Sequence, residues 1–484
     1  MEEDDMSVIA SAINKFTNFS SWFDELIFQA RIVDSRFPVK GFIVYLENGM
    51  FILEMIRRRL EELLVETGHK TMMFPLVTTD ELFAKEAEHI KGFLSEVFVI
   101  EKAGNKPLEK KLIIRPTSET IMYPMFKLWI RSHADLPFKV HQTVNVYRYE
   151  TKATRPLYRA REFPWNEAHT AHATAADAEE QVREAIEIYS KVLKELGISY
   201  LLLKRPDFDK FAGAKYSIAF DAWNPDGRVN QVATVHNLGR NFSKVFEIEF
   251  EQKDGSRALV YQLCYGFGLS RVLAAVIAQH GDDRGCVFPP SIAPVQVVIV
   301  PIPFKGYEEL ITSYCKKIHE RLKRIYRCVL DDREDVTPGE KFYHWEMLGV
   351  PVRVEIGPKE VSSSKVTLFR RDTLERTEAD LNDVEMRVEE LMTKIFTSLK
   401  ERSARIMEQM VVDAYSPDEV KKALSERKIA RIEWCGKEDC ALKLKEHAGG
   451  EIRGSRFDIV EVPQRNCIVC GEKAQEVVYV AKAY

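Results

Sequence analysis

The densest chemistry in the sequence lies between positions 143 and 172, TVNVYRYETKATRPLYRAREFPWNEAHTAH. Arg148 and Glu150 share one parity there, and Arg161, Phe163, Trp165, Glu167 and His169 share another. Side chains two apart on a strand point to the same face, so two strands with these parities place guanidiniums, carboxylates, aromatic rings and an imidazole over one surface. Between them, Lys152, Arg155 and Arg159 crowd a loop with Glu150 at its edge. Guanidinium forks grip phosphate or carboxylate and an aromatic face stacks on a base, which points to a flat, anionic ligand such as a nucleotide. A half-exposed hairpin with a solvated, charged tip is the other reading of the same charges. A second constellation closes the chain, Cys435-x4-Cys440 followed by Cys467-x2-Cys470. Four thiolates in two close pairs fit a closed tetrahedral zinc site with no open position for catalysis.

These groups need elements to position them. Residues 143–172 predict two antiparallel strands, with Pro164 marking a bulge or an edge because it cannot donate to a ladder. Upstream, Ile52, Ile56, Leu60 and Leu63 share one face of a helix over 49–66, Gly68 can cap it, and MMFP leads into a short strand ending at Pro75. The strand within LIIRPTSET (112–120) ends in a turn exposing Thr117, Ser118 and Glu119. Ser118 suits a helix N-cap, while Thr117 and Glu119 offer a secondary ammonium ion an acceptor and an anion. A Glu- and Lys-rich amphipathic helix over 175–197 reads as a solvated wall, and Phe211 in KFAGAKY as an apolar one. The alternating run QVATVHNLGRNF (231–242) predicts a strand in which His236 is either a satisfied core residue or a ligand-binding group. In YQLCYGFGLSRVLAAVIAQHG (261–281), a strand leads through Gly266-x-Gly268-x-x-Arg271 into an apolar helix. Glycines there would let a base approach the backbone, and Arg271 adds charge to a positive helix end.

At 484 residues the chain has room for two to four domains. No run approaches the length of a membrane span and the acidic start MEEDD lacks a signal peptide's basic region, so a cytoplasmic location with no membrane partner is expected. A formal charge of −4 means that any RNA binding must come from local basic surfaces. Cys264, Cys286, Cys315 and Cys328 are scattered through apolar or helical surroundings and read as buried thiols. The proline-rich CVFPPSIAPVQ (286–296) marks a boundary, after which strands and helices alternate in a small α/β unit. The expected division is 1–290, 291–400 and 401–484.

Arg148-x-Glu150, a loop, then Arg159-x-x-x-Phe163-x-x-x-Glu167 resembles motif 2 of the class II aminoacyl-tRNA synthetases. The segments 49–75 and 261–281 are similar to motifs 1 and 3, and LFAKEAEHIKGF (82–93), RPTSET and EAHTAH resemble the prolyl branch of class IIa, in its archaeal and eukaryotic type. The resemblance implies an α+β catalytic domain with an antiparallel sheet flanked by helices, an α/β anticodon-binding domain and a small α+β zinc-binding C-terminal domain. It implies activation of L-proline by ATP and transfer of the prolyl group to the 3' end of tRNA(Pro), with Mg²⁺ assisting pyrophosphate departure and a structural Zn²⁺ on the four cysteines. Arg148 would bridge both reactants and, with Arg271, carry the catalysis. Arg159 and Arg271 would hold the outer phosphates, Phe163 and Arg271 the adenine, and Glu150 its amine, with Gln231 and Thr234 close to ATP. Thr117, Glu119, Trp165, Glu167, His169, Phe211 and His236 would form the proline pocket with Arg148.

Further along the chain, Glu346 and Arg353 would read anticodon bases, and Lys359, Arg370 and Arg371 would hold phosphate. Motif 1 implies a homodimer, and the terminal Tyr484 would fold back toward the active site. Glu47 and Ala212 stand where relatives have proline, and Arg240 where they have glutamine. The interval from His172 to Tyr261 has no room for an inserted editing domain, so clearing mischarged tRNA would fall to a separate factor. Two alternatives stay open. A threonyl-like class IIa enzyme would carry zinc ligands in its active site, and a non-catalytic paralogue binding RNA or protein would be free to lose Arg148, Glu150, Phe163 and Arg271.

Overall fold

The computed structural model describes residues 14–86 and 96–484. The hairpin expected at 143–172 forms, and a large sheet extends from it. Its strands, numbered in chain order, are β1 (Lys70–Thr71), β2 (Phe138–Tyr147), β3 (Glu162–His172), β4 (Tyr200–Lys204), β5 (Tyr216–Trp223), β6 (Arg228–Gly239), β7 (Tyr261–Phe267), β8 (Val411–Asp413), β9 (Ile429–Trp434), β10 (Glu451–Arg456) and β11 (Glu476–Ala483). They lie in the order β8-β9-β11-β10-β4-β5-β6-β7-β3-β2-β1. Neighbours are antiparallel except for β1 with β2 and β8 with β9, the pairs at the two edges.

Helices α1 (Phe19–Gln29), α2 (Glu47–Glu66), α3 (Glu119–Trp129), α4 (Ala175–Glu195), α5 (Leu269–His280) and α6 (Val384–Met410) surround this sheet. Their apolar stripes decide where they pack. Ile52, Ile56, Leu60 and Leu63 of α2 meet Val182, Tyr189 and Val192 of α4 and Leu273 and Ile277 of α5 in one buried core. Each such side chain contributes about 1.5–3 kcal/mol by leaving water.

Pro164 produces no bulge. The β2–β3 register runs from Phe138↔Ala171 to Tyr147↔Glu162 without a shift, whereas pairing with β7 stops at Asn166↔Phe267. The proline lies past that last pair, on a local edge where no ladder bond is required. The strand expected to end at Pro75 is shorter than its pattern implied. β1 has only two residues, and the chain beyond it is tied by Met72 N–H to the His141 carbonyl (2.9 Å) and by Phe74 N–H to Gln142 Oε1 (3.0 Å). The amide side chain of Gln142 replaces a ladder bond there. Of LFAKEAEHIKGF, residues 82–86 fall in the helix Asp80–Glu86 and 87–93 lie outside the described residues.

Beyond the proline-rich boundary, a five-stranded sheet orders Cys328–Leu330, Val297–Pro301, Val352–Ile356, Lys365–Arg370 and Arg376–Asp380. The expected boundary near 400 falls inside α6. The last strands join the catalytic sheet, with β10 pairing β4 at Ser455↔Lys204 and β11 pairing β6 at Arg228↔Lys482. Gly454 permits this approach: its φ is +130°, and a Cβ there would sit 2.1 Å from the Lys204 carbonyl oxygen. Among the described residues, no helix is long and apolar enough to cross a membrane.

Candidate active site

β2 ends at Tyr147 and delivers Arg148 and Glu150 into a turn, while β3 presents Phe163, Trp165, Glu167 and His169 on one face. Thr117 and Glu119 join them from the RPTSET turn, Phe211 from the loop after β4, and Gln231, Thr234 and His236 from β6. Arg159 enters from the β2–β3 loop and Arg271 from the first turn of α5, and all of these residues line one cavity of about 310 Å³. Every residue assigned to proline or ATP from the sequence is therefore in one place. Arg161, which shares their parity, is not in the lining. It stacks on Tyr149 at 3.9 Å and donates to the Glu150 carbonyl.

One side of the cavity is cationic. The Arg148 guanidinium lies 5.4 Å from the Phe163 ring centroid and 6.0 Å from that of Trp165, with Nε donating to the Pro116 carbonyl at 3.1 Å. Arg159 pairs with Glu150 at 3.1 Å. Arg271 donates to the carbonyls of Tyr158 and Gln231 at 2.9 and 3.1 Å. Burial, then the charges of Arg148 and Arg159, pull the Arg271 pKa down to about 10, and burial lowers that of Arg148. At about 10, Arg271 stays charged at neutral pH. Gly266 serves a different purpose here from the one read in the sequence, because a Cβ on it would lie 2.0 Å from the Trp165 ring. Its space is taken by the tryptophan, so no base can occupy it.

The other side is rich in acceptors. Glu119 opens α3, where the helix dipole favours a carboxylate, and accepts from Thr117 Oγ1 at 2.5 Å. Ser118 holds the N-cap position without capping: its oxygen accepts from Gln142 Nε2 at 3.0 Å and its hydroxyl donates to Glu167. Glu167 also accepts from Gln142 at 2.9 Å and meets His169 at 3.5 Å. Burial alone would raise its pKa, but His169, Ser118 and Gln142 outweigh burial and hold the carboxyl below its usual range. His236 contacts Ser217 Oγ through Nδ1 at 2.7 Å, and its ring stacks on Phe211 at 4.7 Å. Burial, then His169, lowers its pKa to about 3, so it is neutral.

The matching of known families follows this geometry closely. A model of the class II tRNA synthetase core domain (G, H, P, S and T) matches residues 98–280, an anticodon binding domain matches 296–395, and a prolyl-tRNA synthetase C-terminal domain matches 417–484. The proline–tRNA ligase of Pyrococcus abyssi is 47% identical over 472 residues, 96% of this chain and 98% of the relative. This chain belongs to the proline–tRNA ligase family. The ligase of Methanocaldococcus jannaschii is 49% identical over 85% of this chain and 90% of its own length. A Giardia lamblia prolyl-tRNA synthetase in complex with prolyl-adenylate superposes with a TM-score of 0.93 at 36% identity, covering 96% of this chain and 98% of that one. The Cryptosporidium parvum enzyme complexed with halofuginone and AMPPNP gives 0.94 at 30% identity, covering 98% and 99%.

Several lining residues of this ligase were missed in the sequence: Tyr158, Arg205, Asp209 and Ser217. Tyr158 sits in the basic loop, and its ring stacks on the terminal Tyr484 at 4.2 Å, a contact no local pattern announces. Arg155 turns away from the cavity, its guanidinium 5.2–5.6 Å from the rings of Phe19, Phe23, Tyr158 and Tyr484. Arg240 lies over the Tyr261 ring at 4.2 Å.

Glu346 and Arg353, expected to read anticodon bases, both lie within the matched anticodon-binding domain and are held by protein partners. Arg353 is sandwiched between Phe342 and Phe369, each 3.9 Å away, and bonds to Glu346 (2.9 Å) and Glu355 (2.8 Å). Arg353 and Glu346 are both buried and bonded to protein partners. Arg371 is also fully buried and bound to Asp282 at 2.6 and 2.7 Å, and Arg370 is bound to Asp372. Lys359 is exposed and pairs with Glu378. The sulfurs of Cys435, Cys440, Cys467 and Cys470 all lie within 4.8 Å of one another. Two of the separations are 3.6 and 3.7 Å. A tetrahedral zinc–thiolate site with bonds of about 2.3 Å has edges of about 3.8 Å, so the cluster fits that ion.

Proposed function

We propose that the cavity binds ATP on its cationic side and L-proline on its acceptor-rich side, joins them as prolyl-adenylate, and passes the prolyl group to the 3' end of tRNA(Pro). The observation that carries this is the division of charge within one cavity, with Arg148 beside both halves. A proline carboxylate oxygen bonds to the α-phosphorus, the bond from that phosphorus to the bridging oxygen breaks, and pyrophosphate leaves with the electron pair. The nucleophile is already ionised, so no general base is needed; positioning and charge stabilisation supply the rate. Thr117 and Glu119 receive the imino group, and Phe211 and Trp165 bound the ring. Magnesium enters with the nucleotide, as part of the substrate. In the second step a terminal ribose hydroxyl attacks the prolyl carbonyl, and AMP is released. Amino-acid-dependent exchange of labelled pyrophosphate into ATP, run across all amino acids, tests the reading. Exchange specific to another amino acid would overturn it.

The four cysteines would hold one zinc per chain, which when bound supplies a structural crosslink. Metal analysis of the purified protein should give one equivalent, and Cys435→Ser with Cys470→Ser should lose it while the strands β9 and β11 become protease-sensitive. Full zinc retention by that variant would place the ion elsewhere. A homodimer is supported by an apolar surface beside β1, where Met73 is 86% exposed and Leu128 and Trp129 are also exposed. A cytoplasmic site of action fits the tRNA substrate.

A further inference from the structure

Arg453 stands on β10, where the C-terminal strands join the catalytic sheet. Its Nε and Nη2 donate to the carboxylate of Asp221 at 2.7 and 3.2 Å, and Asp221 is fully buried on β5. The Arg453 carbonyl accepts from Arg205 Nη1 at 2.7 Å. Arg205 pairs in turn with Asp209 and lies 3.9 Å from Asp221. Arg205 and Asp209 line the cavity and begin the loop that carries Phe211. That loop is tied onward through Ser217: Arg205 N–H donates to the Ser217 carbonyl at 2.9 Å, and the Ser217 hydroxyl accepts from Phe211 N–H at 2.9 Å while touching His236. A second tie lies at Phe208, whose ring meets Trp434 of β9 edge-on at 6.1 Å.

A surface loop of this length is ordinarily mobile, yet here two buried arginines and a buried aspartate fix its start. Removing one of them leaves an uncompensated charge in low dielectric, so the loop cannot move without breaking the set. The cationic side of the cavity is oriented by other partners, since Arg271 donates to Tyr158 and Gln231 and Arg159 pairs with Glu150.

We propose that Arg453 is a positioning residue for amino-acid binding: through Asp221 and Arg205, the C-terminal segment holds the 205–211 loop so that Phe211 packs against His236. This rests on reading that side of the cavity as the proline side. It assigns the C-terminal segment a share in substrate affinity, transmitted without any contact to the substrate.

The test uses the full-length protein, with proline and ATP titrated separately in pyrophosphate exchange. Arg453→Met is expected to raise the KM for proline tenfold or more while the KM for ATP stays within twofold, and Arg453→Lys, which keeps a charge but loses the fork, should fall between. Where Arg453→Met fails to fold, Asp209→Asn weakens the solvent-facing end of the same network while Asp221 stays beside Arg205, and should raise the proline KM several-fold. Calorimetric binding of proline alone should weaken in parallel. Equal rises in both KM values, or a fall in kcat with both unchanged, would overturn the proposal. A wild-type protein with no proline-dependent exchange would instead overturn the reading of the site itself.

Discussion

The two halves of the cavity hold opposite charges by similar means but with different kinds of partner. On the side proposed for the nucleotide, Arg148 and Arg271 are aimed by main-chain carbonyls, those of Pro116, Tyr158 and Gln231. On the side proposed for the amino acid, Glu119 and Glu167 are aimed by the side chains of Thr117, Ser118 and Gln142. Fixed dipoles orient these groups in both halves before any ligand arrives, which is the arrangement that costs least reorganisation during reaction. A carbonyl survives any substitution at its residue, whereas a hydroxyl or amide does not. The nucleotide half should therefore fail mainly through its own arginines, and the amino-acid half through any of several supporting residues.

The largest effect is expected at Arg148, which is proposed to meet both reactants. Arg148→Ala should reduce proline-dependent pyrophosphate exchange by about a hundred- to a thousandfold, the typical loss of about 2.7–4 kcal/mol for one donor to developing charge. A folded variant keeping more than a tenth of the wild-type rate would remove Arg148 from the reaction and with it the contrast between the halves.

How much of this was legible depended on how local the cause was. The β2–β3 hairpin could be read because strand alternation alone puts Phe163, Trp165, Glu167 and His169 on one face. The cysteine cluster could be read because its spacing is itself the signal. Arg353 and Glu346 have the chemistry for base recognition, whereas the closing of Phe342 and Phe369 over the guanidinium is a tertiary fact that no local pattern announces. The need for glycine at 266 has a cause no local pattern announces, since only the fold shows that Trp165 fills the space a Cβ would take. The fusion of the C-terminal strands to the sheet was invisible for a similar reason: Arg205 and Arg453 meet across 248 residues of sequence.

Glu119 tests the amino-acid half directly. Glu119→Gln keeps the shape and the Thr117 contact but removes the charge that would meet the imino group. Loss of a hydrogen bond to a charged group costs about 1.5–3 kcal/mol, so the KM for proline should rise about ten- to a hundredfold. The KM for ATP should change little, because the arginines keep their carbonyl partners. Comparable shifts in both constants would mean that the halves are not separable.

The smallest effect concerns the apolar part of the same half. Phe211, Trp165 and Thr117 line the space proposed for the proline ring, and a pocket of this kind rejects a smaller amino acid only by the contacts it lacks. Missing methylenes are worth ~1–3 kcal/mol, which is about ten- to two-hundredfold. Alanine should therefore support weak but measurable pyrophosphate exchange. Correction within this chain would need a second, hydrolytic pocket. Between His172 and Tyr261 the chain is taken up by α4, β4, β5, β6, the helix Asn241–Phe246 and the hairpin of Glu249–Glu251 with Arg257–Leu259, which leaves no inserted domain in that interval. Preformed alanyl-tRNA(Pro) incubated with the purified protein should accordingly be lost at the spontaneous rate, with clearance left to a separate factor. Faster deacylation would reveal an editing site elsewhere in the chain, and the amino-acid half would then not be the sole determinant of accuracy.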